Sequence, residues 1–279
     1  MSQYLYYNGS YCLSDTPMFT AGNRAFKYGD SLFESIVLFN GNIPFLSLHW
    51  ERWTKTAQIL QIQVPEDFTP TKLKEICANL AQLNGQATSA RIRLTIFRQG
   101  GGLFLPDDNT GVIIVTLHPI ENTHFVLNQK GVNLVVYPQP LVAPLFLSNL
   151  KTGNAIPYII ASQFAKANQA GNCLLLNTNM EIAEAANSNV FWVKKNQVHT
   201  PPLDSGCLNG VMRKVVLQIL EEIKMPVLET QLTVETLRQA DEVFLTNATQ
   251  GIVWVAQFKE QTYTNNQAGK ILEAVNAKI

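Results

Sequence analysis

A mixed α/β (α+β) fold in two domains is what three observations predict for this chain. Segments of helical and of strand periodicity alternate along it, the pattern of an α/β protein. Its 279 residues and 46% hydrophobic content suffice for two cores rather than one. A polar stretch with neither period, Pro119-Ile-Glu-Asn-Thr-His, interrupts the alternation. The expected boundaries are residues 1–118 for an N-terminal α/β domain, 119–128 for an interdomain linker and 129–279 for a C-terminal α/β domain.

In chain order, Leu73, Ile76 and Leu80 keep the spacing of a buried helical stripe, and strands read at 91–97 and 111–118. The Gly100-Gly-Gly run between them is too short for a linker and reads as a mobile loop. After the polar stretch come a strand at 132–137, a helix starting near Pro157 and a strand at 189–193. The turn Asn209-Gly210 precedes a second helical stripe of Val215, Val216, Ile219, Leu220 and Ile223, and a strand follows at 242–246. No internal repeat or low-complexity segment stands out.

Composition narrows the function classes. With 21 Lys+Arg against 21 Asp+Glu, the chain lacks the basic excess of a nucleic-acid binder, although a small anion can still be held locally. The N-terminal residues have no basic leader and no long apolar run, and no segment is apolar enough to span a bilayer, so the expectation is a cytoplasmic protein with no membrane partner. Cys12, Cys77, Cys173 and Cys207 contain no Cys-x-x-Cys pair, which argues against a disulfide framework and a zinc site; no metal is expected. Cys207 with His199 lacks any cysteine-hydrolase signature and reads as ordinary packing.

One anion site can be argued from the residues alone. Leu208-Asn-Gly-Val-Met-Arg is a turn followed at once by an amphipathic helix, so the amides of Val211 and Met212 lie at a helix N-terminus, where hydrogen bonds and the helix dipole favour an anion. On the turn alone, a helix cap without ligand is the commoner meaning.

Four runs in order change that balance. Lys151 stands in Leu-Ser-Asn-Leu-Lys-Thr-Gly-Asn, followed by Glu184-Ala-Ala-Asn-Ser-Asn-Val-Phe-Trp, Thr200-Pro-Pro-Leu-Asp and Leu208-Asn-Gly-Val-Met-Arg213. Together they resemble the class IV aminotransferases, pyridoxal-phosphate enzymes that include branched-chain aminotransferase, D-amino-acid aminotransferase and aminodeoxychorismate lyase. The resemblance implies a two-domain fold-type IV enzyme similar to D-amino-acid aminotransferase, with pyridoxal 5'-phosphate as cofactor. Such a cofactor needs a lysine to hold its aldehyde, an acid to keep its ring nitrogen protonated and an anchor for its phosphate. The resemblance gives the first task to Lys151, which would also carry the substrate proton. It gives the second to Glu184, five positions before Asn189 of the Asn-x-Phe motif; Glu181 falls out of register and reads as a solvated turn residue. It gives the third to Arg52 of His49-Trp-Glu-Arg, to the segment Gly210, Val211 and Met212, and to Thr249, with Met212 standing where several relatives have threonine.

For the substrate, Tyr28 in Lys-Tyr-Gly-Asp, Phe33 after it and Arg93 resemble the branched-chain aminotransferases. Alternation puts Arg91, Arg93 and Thr95 on one strand face, so Arg93 reads equally as a pocket residue or a solvated one. Ile156 replaces the tyrosine that the branched-chain group has five places after its lysine, and Lys-x-x-Asn resembles the lyase and D-amino-acid branches instead. The loop after Arg98 lacks the arginine and histidine pair of the D-amino-acid branch. The segment from Ser188 through the Thr-Pro-x-Leu run to Arg213 looks most like aminodeoxychorismate lyase. The expectation is therefore that lyase, with a branched-chain transaminase as the alternative and a non-catalytic binding protein as a remote third. Expected partners are a small amino substrate and, by resemblance, a second copy in a homodimer.

Overall fold

The computed structural model describes residues 3–85 and 87–279. It divides into two compact units, Met1–Thr123 with Lys151–Asn154, and His124–Leu150 with Ala155–Ile279.

The first unit is built from β1 (Tyr4–Tyr7), β2 (Ser10–Leu13), α1 (Arg24–Tyr28), β3 (Ser31–Leu38), α2 (Leu46–Ile59), α3 (Pro70–Leu83), β4 (Ala90–Arg98) and β5 (Gly111–Pro119). Among the described residues its sheet has five strands in the order β2-β1-β5-β4-β3, and all its pairs are antiparallel. Period-two alternation sorts the side chains. Leu32, Ile36, Ile92, Leu94 and Ile96 join the buried cluster with Trp53 of α2 and Leu73, Ile76 and Leu80 of α3. Phe33, Ser35, Arg91, Arg93 and Thr95 take the opposite face. Thr69 caps α3 by accepting from the Lys72 amide, and Pro70 fits the first turn, where no amide partner is needed.

The second unit contains β6 (Val132–Pro140), α4 (Ile156–Ala167), β7 (Asn172–Leu176), β8 (Ile182–Ala185), β9 (Asn189–Lys194), β10 (Gln197–Thr200), α5 (Val211–Glu222), β11 (Val227–Glu229), α6 (Val234–Arg238), β12 (Glu242–Asn247), β13 (Gly251–Phe258), β14 (Gln261–Thr262) and α7 (Asn266–Asn276). Its mixed sheet runs β11-β10-β9-β12-β13-β6-β7-β8, with β14 added against β13. The stripe of α5 is buried at Val215, Val216, Ile219 and Leu220, whereas Ile223 is the helix C-cap and exposed. Among the described residues no helix is long and apolar enough to cross a membrane.

The tetrapeptide Lys151–Asn154, expected within the second domain, clusters with the first unit instead. The cause lies at a sheet edge: β3 has β4 on one side only, and the tetrapeptide supplies partners on the other. The Phe33 amide donates to the Lys151 carbonyl (3.1 Å), the Gly153 amide donates to the Ser31 carbonyl (2.8 Å), and Leu32 and Thr152 form an antiparallel bridge. Gly29, which ends α1 in the left-handed conformation (φ 67°), is needed for this approach, because a Cβ there would lie 2.5 Å from Asn154 Oδ1. Gly29→Ala should therefore cost about 1–2 kcal/mol of stability, read as a lowered urea midpoint; an unchanged midpoint would contradict this view of how the Lys151 segment is seated.

Candidate active site

Five of the expected residues belong to the first unit: Phe33, Arg93 and Lys151 meet on the open face of its sheet, Arg52 meets Glu34 on the covered face, and Tyr28 ends α1. On the open face, the Phe33 ring carries the Lys151 ammonium 4.5 Å from its centroid and the Arg93 guanidinium 3.7 Å from it. Arg93 is thus stacked rather than simply solvated, and both burial and the neighbouring Arg91 charge lower its pKa. Tyr28, the last residue of α1, has Lys27 Nζ at 4.8 Å and the Arg24 guanidinium at 5.2 Å from its ring.

On the covered face, Glu34 sits in the row of Leu32 and Ile36 at 1% exposure. Its Oε1 accepts from Arg52 Nε (2.7 Å), and its Oε2 accepts from Arg52 Nη2 (2.6 Å) and meets His49 Nδ1 (2.7 Å). Burial alone would raise the Glu34 carboxyl, but the Arg52 charge and the His49 hydrogen bond outweigh it and hold the group down to about 2. Burial in turn lowers the pKa of His49. An ionised carboxylate only accepts, so neutral His49 must carry its proton on Nδ1. The His-x-x-Arg pattern thereby acquires a reason: positions 49 and 52 lie on one face of α2 and close together on one carboxylate. Glu34 was legible only as a neighbour of Phe33; nothing in the sequence marked it as the clamp on Arg52.

The second unit holds Glu184, Asn189, Gly210, Val211, Met212 and Thr249. Glu184 on β8 is 2% exposed; its Oε1 accepts from the Tyr158 hydroxyl (2.9 Å) and its Oε2 from the Leu208 amide (3.0 Å). Burial, then the Glu184 charge, pushes the Tyr158 hydroxyl far above its ordinary range, so it stays a donor. Asn189 Nδ2 donates to the Leu208 carbonyl (2.8 Å), and a Cβ on Gly210 would collide with Asn189 Oδ1. Glycine is what lets the turn run against that side chain. Helix α5 then starts without a side-chain cap, and its first-turn amides have no acceptor within the helix. Thr249 lies in the turn after β12, where its amide and hydroxyl both donate to Asn247 Oδ1 (3.0 and 2.9 Å).

Three groups shaping this region had no strong signal in the sequence. Tyr158 lies within α4, Asn149 ties the Leu203 and Cys207 carbonyls (2.9 and 2.6 Å), and Asn247 organises the Thr249 turn. Glu181, expected to be solvated, is half-buried and accepts from Asn177 Nδ2 (3.1 Å). Cys207 is buried, its thiol pushed up to about 12 by burial and then by Glu184, and the His199 ring stacks on Trp192; this is packing, not a nucleophile and its base. Among the described residues no group of three or more His, Cys, Asp or Glu is placed to hold a metal ion.

The donor set fits pyridoxal phosphate. Within the second unit, a buried carboxylate that accepts from the Tyr158 hydroxyl and the Leu208 amide suits a protonated ring nitrogen, and an uncapped helix start beside a cradle that tolerates only glycine suits a phosphate.

The chain matches the family model described as class IV amino-transferase over residues 31–258. A Methanocaldococcus jannaschii protein provisionally named branched-chain-amino-acid aminotransferase is 27% identical over 99% of this chain and 94% of its own length. Aminodeoxychorismate lyase of Vibrio harveyi is 29% identical over 84% of this chain and 85% of its own. Among solved structures, the T.th. branched-chain amino acid aminotransferase with pyridoxamine 5'-phosphate superposes with a TM-score of 0.88 at 22% identity, covering 100% of this chain and 96% of that one.

The Glu34 cluster makes stability acid-sensitive. A carboxyl held at about 2 in the folded chain, against an ordinary 4.5, stabilises fully above 4.5 and loses that contribution as pH falls towards 2. Glu34→Gln should cost about 3 kcal/mol at neutral pH and flatten the acid slope of stability between pH 4.5 and 2, as followed by urea unfolding. A variant with the wild-type slope would show that Glu34 is not the ionised partner of Arg52.

Proposed function

Because the chain belongs to the class IV aminotransferases, we propose that it is a pyridoxal-phosphate enzyme acting on a small amino substrate, and more narrowly a 4-amino-4-deoxychorismate lyase forming 4-aminobenzoate and pyruvate. When bound, the cofactor supplies an aldehyde for the substrate amine and a ring that accepts electrons. Lys151 would hold that aldehyde until substrate displaces it, and its freed amine would then take the proton from the amine-bearing carbon. Glu184, shielded from water and oriented by Tyr158 and the Leu208 amide, would hold a proton on the ring nitrogen. Asn189 would hold the turn that presents the α5 amides to the phosphate, and the resemblance to the family adds Thr249 and Arg52 as further phosphate ligands.

The observation that supports the lyase is the cationic open face of the first unit. The amine of Lys151 and the guanidinium of Arg93 share the Phe33 ring, and Arg91 lies beside Arg93. Guanidinium groups of like charge on one face favour a ligand that brings carboxylates; aminodeoxychorismate carries two and so does 2-oxoglutarate, so the lyase and branched-chain readings are separated by Ile156, which stands where the branched-chain group has a tyrosine. The lyase reaction needs one proton removed from the amine-bearing carbon and enolpyruvate expelled from the neighbouring carbon. The ring becomes aromatic, a proton ends on the pyruvate methyl, and no electrons leave the substrate.

Branched-chain transamination is the second reading, supported by the Tyr28 and Arg93 segments and by the M. jannaschii relative. Against it stands Ile156, 64% exposed and unable to donate a hydrogen bond. A homodimer is part of the proposal, supported by the exposed side chains of Leu103, Phe104 and Leu105; sedimentation giving only an active monomer would remove it.

The lyase should convert aminodeoxychorismate to 4-aminobenzoate over many turnovers with no keto acid added. A transaminase given one amino acid and no acceptor should stop after one half-reaction. Sustained exchange between leucine and 2-oxoglutarate, with no 4-aminobenzoate formed, would replace the lyase by the second reading.

A further inference from the structure

Thr246, near the end of β12, is 1% exposed, and its hydroxyl has no hydrogen-bond partner. A buried hydroxyl left unmatched destabilises the fold that carries it, and native structures keep few of them without a ligand, ion or water to explain them. No motif in the sequence singles this residue out.

Register shows where the hydroxyl lies. Thr246 is directly opposite Asn189 in the antiparallel pair of β12 and β9, so the two side chains share a face. Asn189 uses that face to grip the turn before α5, through the Leu208 carbonyl and the close contact at Gly210. The stacked pair of Phe191 and Phe244, two residues away along each strand, continues the same face, and α5 packs against β12. The Thr246 side chain therefore shares the sheet face on which Asn189 meets the start of α5, a twelve-residue helix that begins without a side-chain cap.

We infer that the Thr246 hydroxyl is a further ligand of the phosphate group held at the start of α5. This rests on the pyridoxal-phosphate reading above and adds to it a residue from the strand floor. The hydroxyl donates to a phosphate oxygen while the α5 amides donate from the helix side. Such a contact also offsets Met212, whose side chain brings no hydroxyl to the same helix turn.

The test uses Thr246→Val, which keeps the β-branched shape suited to the strand and removes only the hydroxyl. Apo-protein is titrated with pyridoxal phosphate, followed by absorbance, and with inorganic phosphate, followed by calorimetry. The variant should bind both about tenfold more weakly than wild type, the size expected for one hydrogen bond to a charged group. Its apo form should be no less stable to urea than wild type, because no native bond is lost, and Thr246→Ser should restore the affinity. Equal affinities in wild type and Thr246→Val, with wild type binding pyridoxal phosphate normally, would overturn this inference alone and leave the hydroxyl to a water molecule. Wild-type protein that binds neither probe would overturn it together with the reading it rests on.

Discussion

A carboxylate with almost no access to water has to find its donors in the chain, and around Glu184 that demand ties together three segments far apart in sequence. Tyr158 comes from α4, the Leu208 amide from the turn before α5, and Glu184 itself from β8. Removing the Tyr158 hydroxyl or the Leu208 amide would take a donor from a buried carboxylate, at a cost well above that of a surface contact. Once Leu208 is fixed by Glu184 on one side and Asn189 on the other, the direction in which α5 starts is also fixed. The proposed ring-nitrogen partner and the proposed phosphate end thus depend on a single hydrogen-bonded turn.

The first unit solves the same problem with opposite charges in contact. Glu34 accepts two donors from one edge of Arg52 and a third from His49, which turns a flexible side chain into a fixed fork. Alternation along β3 puts this cluster on the covered face and Phe33, with Lys151 and Arg93 over its ring, on the other. The Lys151 segment owes its position to the edge of the same strand, and Gly29 leaves room for it. A lysine presented from paired backbone is preorganised in a way that a lysine on a solvated loop is not.

What could be read from the sequence was whatever depends on spacing along the chain. The stripes of α3 and α5, the strands carrying Arg93, Asn189 and Thr246, and the turn at Asn209-Gly210 all have local periods or local turn chemistry. Ile223 failed because a stripe says nothing about where its helix ends. Pairings across the fold were not legible. Arg52 has Glu51 next to it in sequence, but adjacent helix residues face apart, and its carboxylate comes from a strand instead. For Arg93, alternation gave the face but not the ring it meets, and Thr246 gains meaning only once its register against Asn189 is known.

The claim on which the functional account turns is that Lys151 is the amine that holds the cofactor. Purified protein loaded with pyridoxal phosphate, reduced with borohydride, digested and mapped by mass spectrometry tests it directly. The account predicts loss of the yellow colour and a phosphopyridoxyl mass on the peptide containing Lys151. The same mass on a peptide carrying another lysine, with Lys151 unmodified, would contradict it.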